Sequence, residues 1–308
     1  MDVISFGSVF LEFVFWPVRQ LPKPGEEVFT DEFAISCGGA VTSASAAAQA
    51  GARAGLCTLL GDDLGSRIVT QFCAREGVDL SPSTWVHRRT AGISVVLNFD
   101  GDRAFVTHLP RRPAAEPDEI SRWRDVLRRE RPAWCYLHAG PRVVDLLREA
   151  RELGTRAVVD VNLEEVEQYP EAIIECVRLA GAFVPNQEEL RRLTGRETLE
   201  DAVATAVSWG SQLVVKLGAD GALVAEPGGL THVKEGVRPV EVRDLTGAGD
   251  AFAGAMIGSL LRGASLTEAV AQANAAGSAA ASRLGAVGEV MVAGLNTPAA
   301  EAQEPGRR

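Results

Sequence analysis

Asp244-Leu245-Thr246-Gly247-Ala248-Gly249-Asp250 runs straight into Ala251-Phe252-Ala253-Gly254-Ala255-Met256-Ile257-Gly258, a helix made of small residues. Gly247 and Gly249 let the backbone turn sharply, and the first N–H groups of the helix then point outward with the positive end of its dipole, which makes an anion site. Asp250 puts a carboxylate at that site, in competition with any bound anion. The placement makes chemical sense if Asp250 takes a proton from a hydroxyl while Gly247, Ala248 and Gly249 hold the charge on a transferring phosphoryl group. The same residues also read as an aspartate starting a buried helix, with glycines for close packing. A dinucleotide fingerprint fits less well, because Phe252 stands where G-x-G-x-x-G needs a third small residue and Asp250 repels a pyrophosphate. No G-x-x-x-x-G-K-S/T loop occurs.

Upstream of this stretch the hydrophobic period alternates between helix and strand. From Pro117 onward, Ile120, Trp123, Val126 and Leu127 share one face of a charged helix, followed by the strand Trp134 to His138. Next come a helix from Arg142 to Leu153, the strand Ala157 to Val161, a helix around Ala172 to Leu179 and the short strand Ala182 to Val184. Helices at Glu188 to Leu193 and Ala202 to Trp209 precede the apolar strand Leu213 to Leu217. Such alternation predicts a mainly parallel, doubly wound α/β sheet, with ligands gathering beyond the carboxyl ends of its strands. The N-terminal third differs: Val9 to Trp16, Val28 to Ile35, Ile93 to Phe99 and Arg103 to His108 read as strands of a small separate β-sheet, the last two joined by a hairpin at Asp100-Gly101-Asp102. Ala44 to Ala50 and Ser66 to Arg75 read as helices of the main domain, and the Pro-, Ala- and Glu-rich tail, 296–308, predicts disorder.

With 308 residues, 46% of them apolar, the chain fills a core without disulfide or metal staples. Its five cysteines are odd in number and lack C-x-x-C or His-paired spacing, so reduced thiols in a cytoplasmic protein are expected. No basic segment precedes the first strand, which argues against a signal peptide, and the uncharged run from Phe33 to Ala52 is too poor in Leu and Ile for a membrane span. A net charge of −10 disfavours nucleic acid as a partner, because phosphate backbones need clustered Lys and Arg.

Two separated motifs carry a resemblance to the ribokinase-like (PfkB) family of carbohydrate and nucleoside kinases, over nearly the whole chain. Asp244 to Asp250 is similar to D-T-x-G-A-G-D, with Leu245 in the second place; the other motif is Cys37-Gly38-Gly39-Ala40, an alanine helix, then Gly61-Asp62-Asp63-Leu64-Gly65. The resemblance implies one ribokinase-like α/β domain over 1–295 with a β-sheet lid drawn from about 9–35 and 93–108. It implies ATP-dependent transfer of the γ-phosphoryl group to an alcohol of a sugar or nucleoside, with Asp250 as base and the amides of Gly247, Ala248 and Gly249 as anion hole. Asn186-Gln187-Glu188-Glu189 looks like the family's N-x-x-E, in which Glu189 would orient water around Mg²⁺; Asn186 with Glu189 is equally a capping box. Gly218 and Gly221 match a glycine turn beside ATP, although a plain hairpin explains them as well, and Asn274 resembles the segment beside the adenine. Asp244 with the Gly285-Ala286 turn looks like part of a loop for a monovalent cation such as K⁺, while Glu289 departs from that loop.

The substrate end departs further. Where sugar kinases of the family read G-x-x-N-x-D, this chain has Gly7-Ser8-Val9-Phe10-Leu11-Glu12, and Ser43 takes the place of an Asn after Gly38 and Gly39. Phe10 offers no hydrogen bond, and Glu12 reaches one methylene farther than Asp. Sugar and nucleoside acceptors therefore stay equally open, as do roles for His108, Arg111 and Arg112 toward an anionic group. Lid strands in the family pair across a homodimer, which is the expectation here too. The alternative from another class is a sugar- or nucleotide-binding regulatory protein that keeps the fold and has lost transfer.

Overall fold

A computed structural model describes residues 1–290, except 100–101, 112, 114–117, 227–228 and 239. The chain begins with β1 (Val3–Phe6), β2 (Val9–Trp16) and β3 (Glu32–Gly39), then α1 (Ala40–Gln49), β4 (Ala54–Cys57), β5 (Leu59–Gly61) and α2 (Leu64–Glu76). After β6 (Thr84–Val86), β7 (Gly92–Asn98) and β8 (Arg103–His108), the alternating half follows: α3 (Glu119–Glu130), β9 (Trp134–His138), α4 (Val144–Glu152), β10 (Arg156–Asp160), α5 (Leu163–Gln168), α6 (Pro170–Leu179), β11 (Ala182–Phe183), α7 (Gln187–Thr194), α8 (Leu199–Val207) and β12 (Gln212–Lys216). The hairpin of β13 (Ala222–Glu226) and β14 (Gly229–Val233) leads to α9 (Ala248–Leu261) and α10 (Leu266–Ala281).

Among the described residues, eight strands form the main sheet in the order β14-β13-β12-β11-β10-β9-β1-β4. From β4 to β12 all neighbours are parallel, and β13 and β14 close the edge antiparallel. Alternation along each strand sends successive side chains to opposite faces. Cys135 and Leu137 of β9 join the core under α3, α4, α6, α7 and α8, whereas Trp134 and Tyr136 join the one under α1, α9 and α10. The sheet is thus covered on both faces, as a parallel sheet requires.

The second sheet has the order β3-β2-β7-β8, with β2 and β7 parallel and both outer pairs antiparallel. Its third element differs from the sequence reading: the strand covers Glu32–Gly39 rather than Val28 to Ile35 and carries Gly38 and Gly39 inside it. Pairing with β2 continues to Phe10↔Gly38 and Val9↔Gly39, so the backbone groups of the double glycine find partners in the ladder rather than in a turn. Helix α1 accordingly begins at Ala40, ahead of the expected Ala44. β7 and β8 are antiparallel with Asn98 opposite Arg103; the Asp100-Gly101 tip and the 296–308 tail lie outside the described residues.

α9 is apolar around its whole circumference and is buried between the sheet, α1 and α10. Glycines set its distance from α1: a Cβ on Gly254 would stand 2.2 Å from the Ser43 carbonyl oxygen, and one on Gly258 would stand 2.5 Å from the Ala50 methyl. All five cysteines are free and buried, and no described helix is long and apolar enough to cross a membrane.

Asp63 ties the start of α2 to the segment that enters β7. Its Oδ1 accepts from Ser66 N at 2.8 Å to cap α2, and its Oδ2 accepts from Thr90 N at 2.8 Å, just before β7. Burial works to raise its pKa, but these hydrogen bonds hold the carboxyl below its ordinary 3.8. The stabilisation is therefore full above pH 3.8 and fades as pH falls through the lower folded value. We expect Asp63→Ala to cost about 1–2 kcal/mol in urea unfolding at pH 7, with the gap to the unaltered protein narrowing at pH 3.

Candidate active site

Strand alternation builds the site before any loop contributes. Val158 and Val214 lie on the α9 face with Tyr136, so residues two further along, His138, Asp160 and Lys216, emerge on the same face at the carboxyl ends of β9, β10 and β12. The N-terminus of α9 meets them there. Gly247 adopts the left-handed conformation (φ 72°) that starts the helix, with no side-chain cap, and Asp250 falls in the first turn. The N–H groups of Gly247, Gly249 and Asp250 have no acceptor among the described residues, whereas Ala248 N–H donates to the Leu245 carbonyl at 3.3 Å. Of the three amides expected to form an anion hole, Ala248 is thus committed within the turn, and Asp250's own N–H points to the open end.

Asp250 is held by one oxygen. Oδ1 accepts from the Tyr136 hydroxyl at 2.7 Å and lies 3.4 Å from His138 Nε2, while Oδ2 has no partner among the described residues. Burial works to raise its pKa, but the hydrogen bond and charge of His138, then Tyr136 and Lys216, keep it below the ordinary 3.8. In turn, burial acts to lower His138, and the bond and charge of Asp250, with Asp160, lift it to about 9. Beside this pair, Lys216 Nζ donates to Asp160 Oδ2 at 2.5 Å, both largely buried. A Cβ on Gly249 would stand 3.0 Å from Lys216 Nζ, so the ammonium lies against the bare face of that glycine. Burial alone would lower Lys216, but Asp160, Glu189 and Asp250 keep it protonated. A carboxylate with one free oxygen, unpaired N–H groups and a fixed ammonium converge on one spot. That set can take a proton from an alcohol and carry the charge of a phosphoryl group.

Asn186 and Glu189 form the capping box that the sequence allowed: Asn186 Oδ1 accepts from Glu188 N and Glu189 N at 2.9 Å each, and Glu189 Oε2 accepts from Asn186 N at 2.7 Å. The box does not exhaust the glutamate, because Oε1 has no partner among the described residues. Burial, opposed by Lys216 and reinforced by Asp160, raises Glu189 to about 7. Gly218 (φ 63°) starts the turn after β12 with open space where its Cβ would be. Gly221 (φ 83°) closes that turn, and there a Cβ would strike the Val233 carbonyl.

Other expected contact residues have partners within the fold. Ser43 is fully buried, its hydroxyl bonded to Ser5 Oγ at 3.0 Å and the Ala40 carbonyl at 3.1 Å, so it holds α1 to β1 instead of meeting a substrate. Asn274 gives its amide N–H groups to the carbonyls of Val233 and Glu235, both at 3.0 Å, and so pins the chain after β14. Glu12 is buried, accepts from Ala286 N at 3.2 Å, and is raised to about 7 by burial and then by Asp244 and Asp250. It lies against Gly38, where a Cβ would stand 2.0 Å from its Oε1. Asp244 accepts from Thr246 N and Gly285 N at 2.8 Å each, so both its oxygens are engaged by backbone. Phe10 is half-buried, its ring wedged between Gly39 and Gly92. His108 and Arg111 are exposed, and Arg112 lies outside the described residues.

Tyr136, His138, Asp160 and Lys216 had escaped the sequence reading. Their signal was a charged or polar residue closing an otherwise apolar strand, as in Trp134-Cys135-Tyr136-Leu137-His138 and Leu213-Val214-Val215-Lys216. In a parallel sheet such an end is where ligands bind.

A mostly parallel sheet covered on both faces, with a second small sheet beside it, defines the ribokinase-like α/β class. Residues 2–290 match the pfkB family carbohydrate kinase, and the chain belongs to that family. It is 30% identical over 262 residues to the aminoimidazole riboside kinase of Salmonella typhimurium, covering 78% of this chain and 80% of that one. The cytidine kinase of Thermococcus kodakarensis is 27% identical over 282 residues, 88% of this chain and 92% of its own. In three dimensions it is similar to a ribokinase II structure from E. coli in complex with ATP and Mg²⁺, with a TM-score of 0.78, 22% identity, and coverage of 93% of this chain and 94% of that one.

The Asp250 pairing has a direct test. Replacing His138 with Asn removes the cation that holds Asp250 low, so the Asp250 carboxyl should titrate at least ~1 unit higher in a ¹³C NMR pH series. An unmoved titration means that another group sets it.

Proposed function

We propose that the chain transfers the γ-phosphoryl group of ATP to a hydroxyl of a nucleoside-type acceptor. The observation that carries the phosphotransfer reading is Asp250, one oxygen fixed by Tyr136 and His138 and the other open beside the unpaired N–H groups of Gly249 and its own backbone. The ionised carboxylate takes the acceptor's proton as the new O–P bond forms. Gly247, Gly249 and Asp250 N–H groups, with Lys216, bear the charge spread over the transferring group, so catalysis is mainly positioning and electrostatics. The turn at Gly218 leaves room for the donor nucleotide beside β12.

A divalent ion fits this donor set. Among the described residues no three His, Cys, Asp or Glu side chains cluster as metal ligands, but Glu189 keeps one oxygen free at the same edge. Mg²⁺ retains most of its waters and needs few protein ligands, so Glu189 would hold it through water. When bound, the ion neutralises charge on the donor phosphates. For K⁺, Asp244 would act through the loop it shapes, since both its oxygens already serve Thr246 and Gly285.

The nucleoside preference rests on the reshaped acceptor end. Phe10 cannot bond a hydroxyl, Ser43 is in the core, and Glu12 is engaged by Ala286. A cavity of about 480 Å³ lies at the carboxyl ends of β1 and β4, lined by Ser8, Val9, Thr58, Arg88 and Leu109 among others. Leu109 also packs at Gly92, as does Phe10, which sets an aromatic ring next to the cavity wall, an environment suited to a planar base. The riboside and cytidine kinases among the relatives agree with this choice. The lid's outer face carries Phe13, Phe15 and Phe33 in ring contact, with Ile93 and Val106 exposed beside them, which supports a homodimer closed through the lid. Five buried, unpaired thiols support a reducing, cytoplasmic setting.

ADP release measured with ATP·Mg²⁺ and a panel of ribosides, pentoses and ketohexoses tests the reading. We expect the highest kcat/KM with a riboside and a loss of at least ~10²-fold in kcat for Asp250→Asn. Undiminished turnover in Asp250→Asn removes its role as base, and acceptor binding without any transfer favours a regulatory binding protein.

A further inference from the structure

Four hydrogen bonds tie the lid to the segment 285–290, one of them from Val287 N to Ser36 Oγ at 3.4 Å. On the face of the lid turned toward the main domain, Glu12 Oε2 accepts from Ala286 N at 3.2 Å, and Ser36 Oγ donates to the Gly288 carbonyl at 2.9 Å. At the far end of the segment, Val290 N donates to the Ile35 carbonyl at 2.9 Å. Leu284 packs among Val14, Ala34 and Val96 of the same sheet. The other side of this segment touches the phosphate turn. Gly285 N donates to Asp244 Oδ2 at 2.8 Å, the opposite Asp244 oxygen accepts from Thr246 N at 2.8 Å, and the Ala286 methyl lies 2.6 Å from where a Cβ of Gly247 would stand.

Glu12 is therefore one end of a continuous contact from the lid to the residue that opens α9. In the G-x-x-N-x-D pattern that this strand resembles, its place on β2 is that of an aspartate. Here the extra methylene lets the side chain run along the bare backbone of Gly38, 5% exposed, and end on the Ala286 amide. We propose that Glu12 is a positioning residue that couples the lid to the phosphate-binding turn through Ala286, and is not a ligand for the acceptor's hydroxyls. This rests on the phosphotransfer reading above for its kinetic consequence alone. Reach matters for such a role and charge does not, because a glutamine oxygen accepts an N–H as a carboxylate oxygen does.

Glu12→Asp and Glu12→Gln separate the two roles. Steady-state kinetics with the acceptor selected by the panel is paired with amide hydrogen exchange over 284–290 in the ligand-free protein. For Glu12→Asp we expect kcat to fall about 10-fold, acceptor KM to stay within about 2-fold, and exchange over 284–290 to quicken by at least about 5-fold, the scale of one lost hydrogen bond to a buried carboxylate. Glu12→Gln should restore both kcat and protection. A raised acceptor KM with kcat and exchange unchanged in Glu12→Asp overturns the proposal, as does a Glu12→Gln protein that behaves like Glu12→Asp. If the unaltered chain transfers phosphoryl to no acceptor, the kinase reading fails, while the exchange comparison still supports or overturns the clamp.

Discussion

A carboxylate and an anion site occupy the same helix end, and the rest of the molecule is arranged around that conflict. Asp250 sits in the first turn of α9 at the spot where unpaired N–H groups attract negative charge. Burial penalises its ionised form, yet it is held ionised by the Tyr136 hydroxyl and by His138, with Lys216 nearby. One oxygen is thereby spent on structure and the other is kept for chemistry. Lys216 in turn needs Asp160, since an unpaired ammonium in so dry a place would be costly. Buried ion pairs add little to stability, so their return here is a fixed orientation.

Small residues make this arrangement geometrically possible. α9 approaches α1 closely because Gly254 and Gly258 leave room for the Ser43 carbonyl and Ala50. Ser43, Ala46 and Ala47 supply a matching smooth surface on α1. The helix can then be buried along its length with its N-terminus at the carboxyl edge of the sheet. A larger residue at either glycine would move the Gly247 to Asp250 turn with the helix, since packed interiors relax only in part.

The lid takes part in the same framework. It is joined to the main domain by Asp63 on one side and by the 285–290 segment on the other. That segment leans on Gly247 and is fastened to Asp244, so the Asp244 that opens the motif works by aligning two stretches of backbone. The small sheet thus bears, through that segment, on the turn that opens α9. A residue such as Glu12, which reads as a substrate contact along the strand, belongs to this support once the loop is in place.

The sequence alone determined the elements whose cause is local. Glycines at 247 and 249 before a small-residue helix, the Asn186 and Glu189 box, and the regular alternation of helix and strand after 117 all act within a few residues, where backbone sterics and periodicity decide. The fold class followed from them. The tertiary structure alone decided what met Asp250. Tyr136, His138, Asp160 and Lys216 come from three strands spread over 80 residues, and only the order of the sheet brings their ends together. The same holds for three of the expected contact residues. Ser43, Asn274 and Glu12 each satisfied a buried polar group with a partner distant in sequence, a requirement that arises only when packing removes water from both.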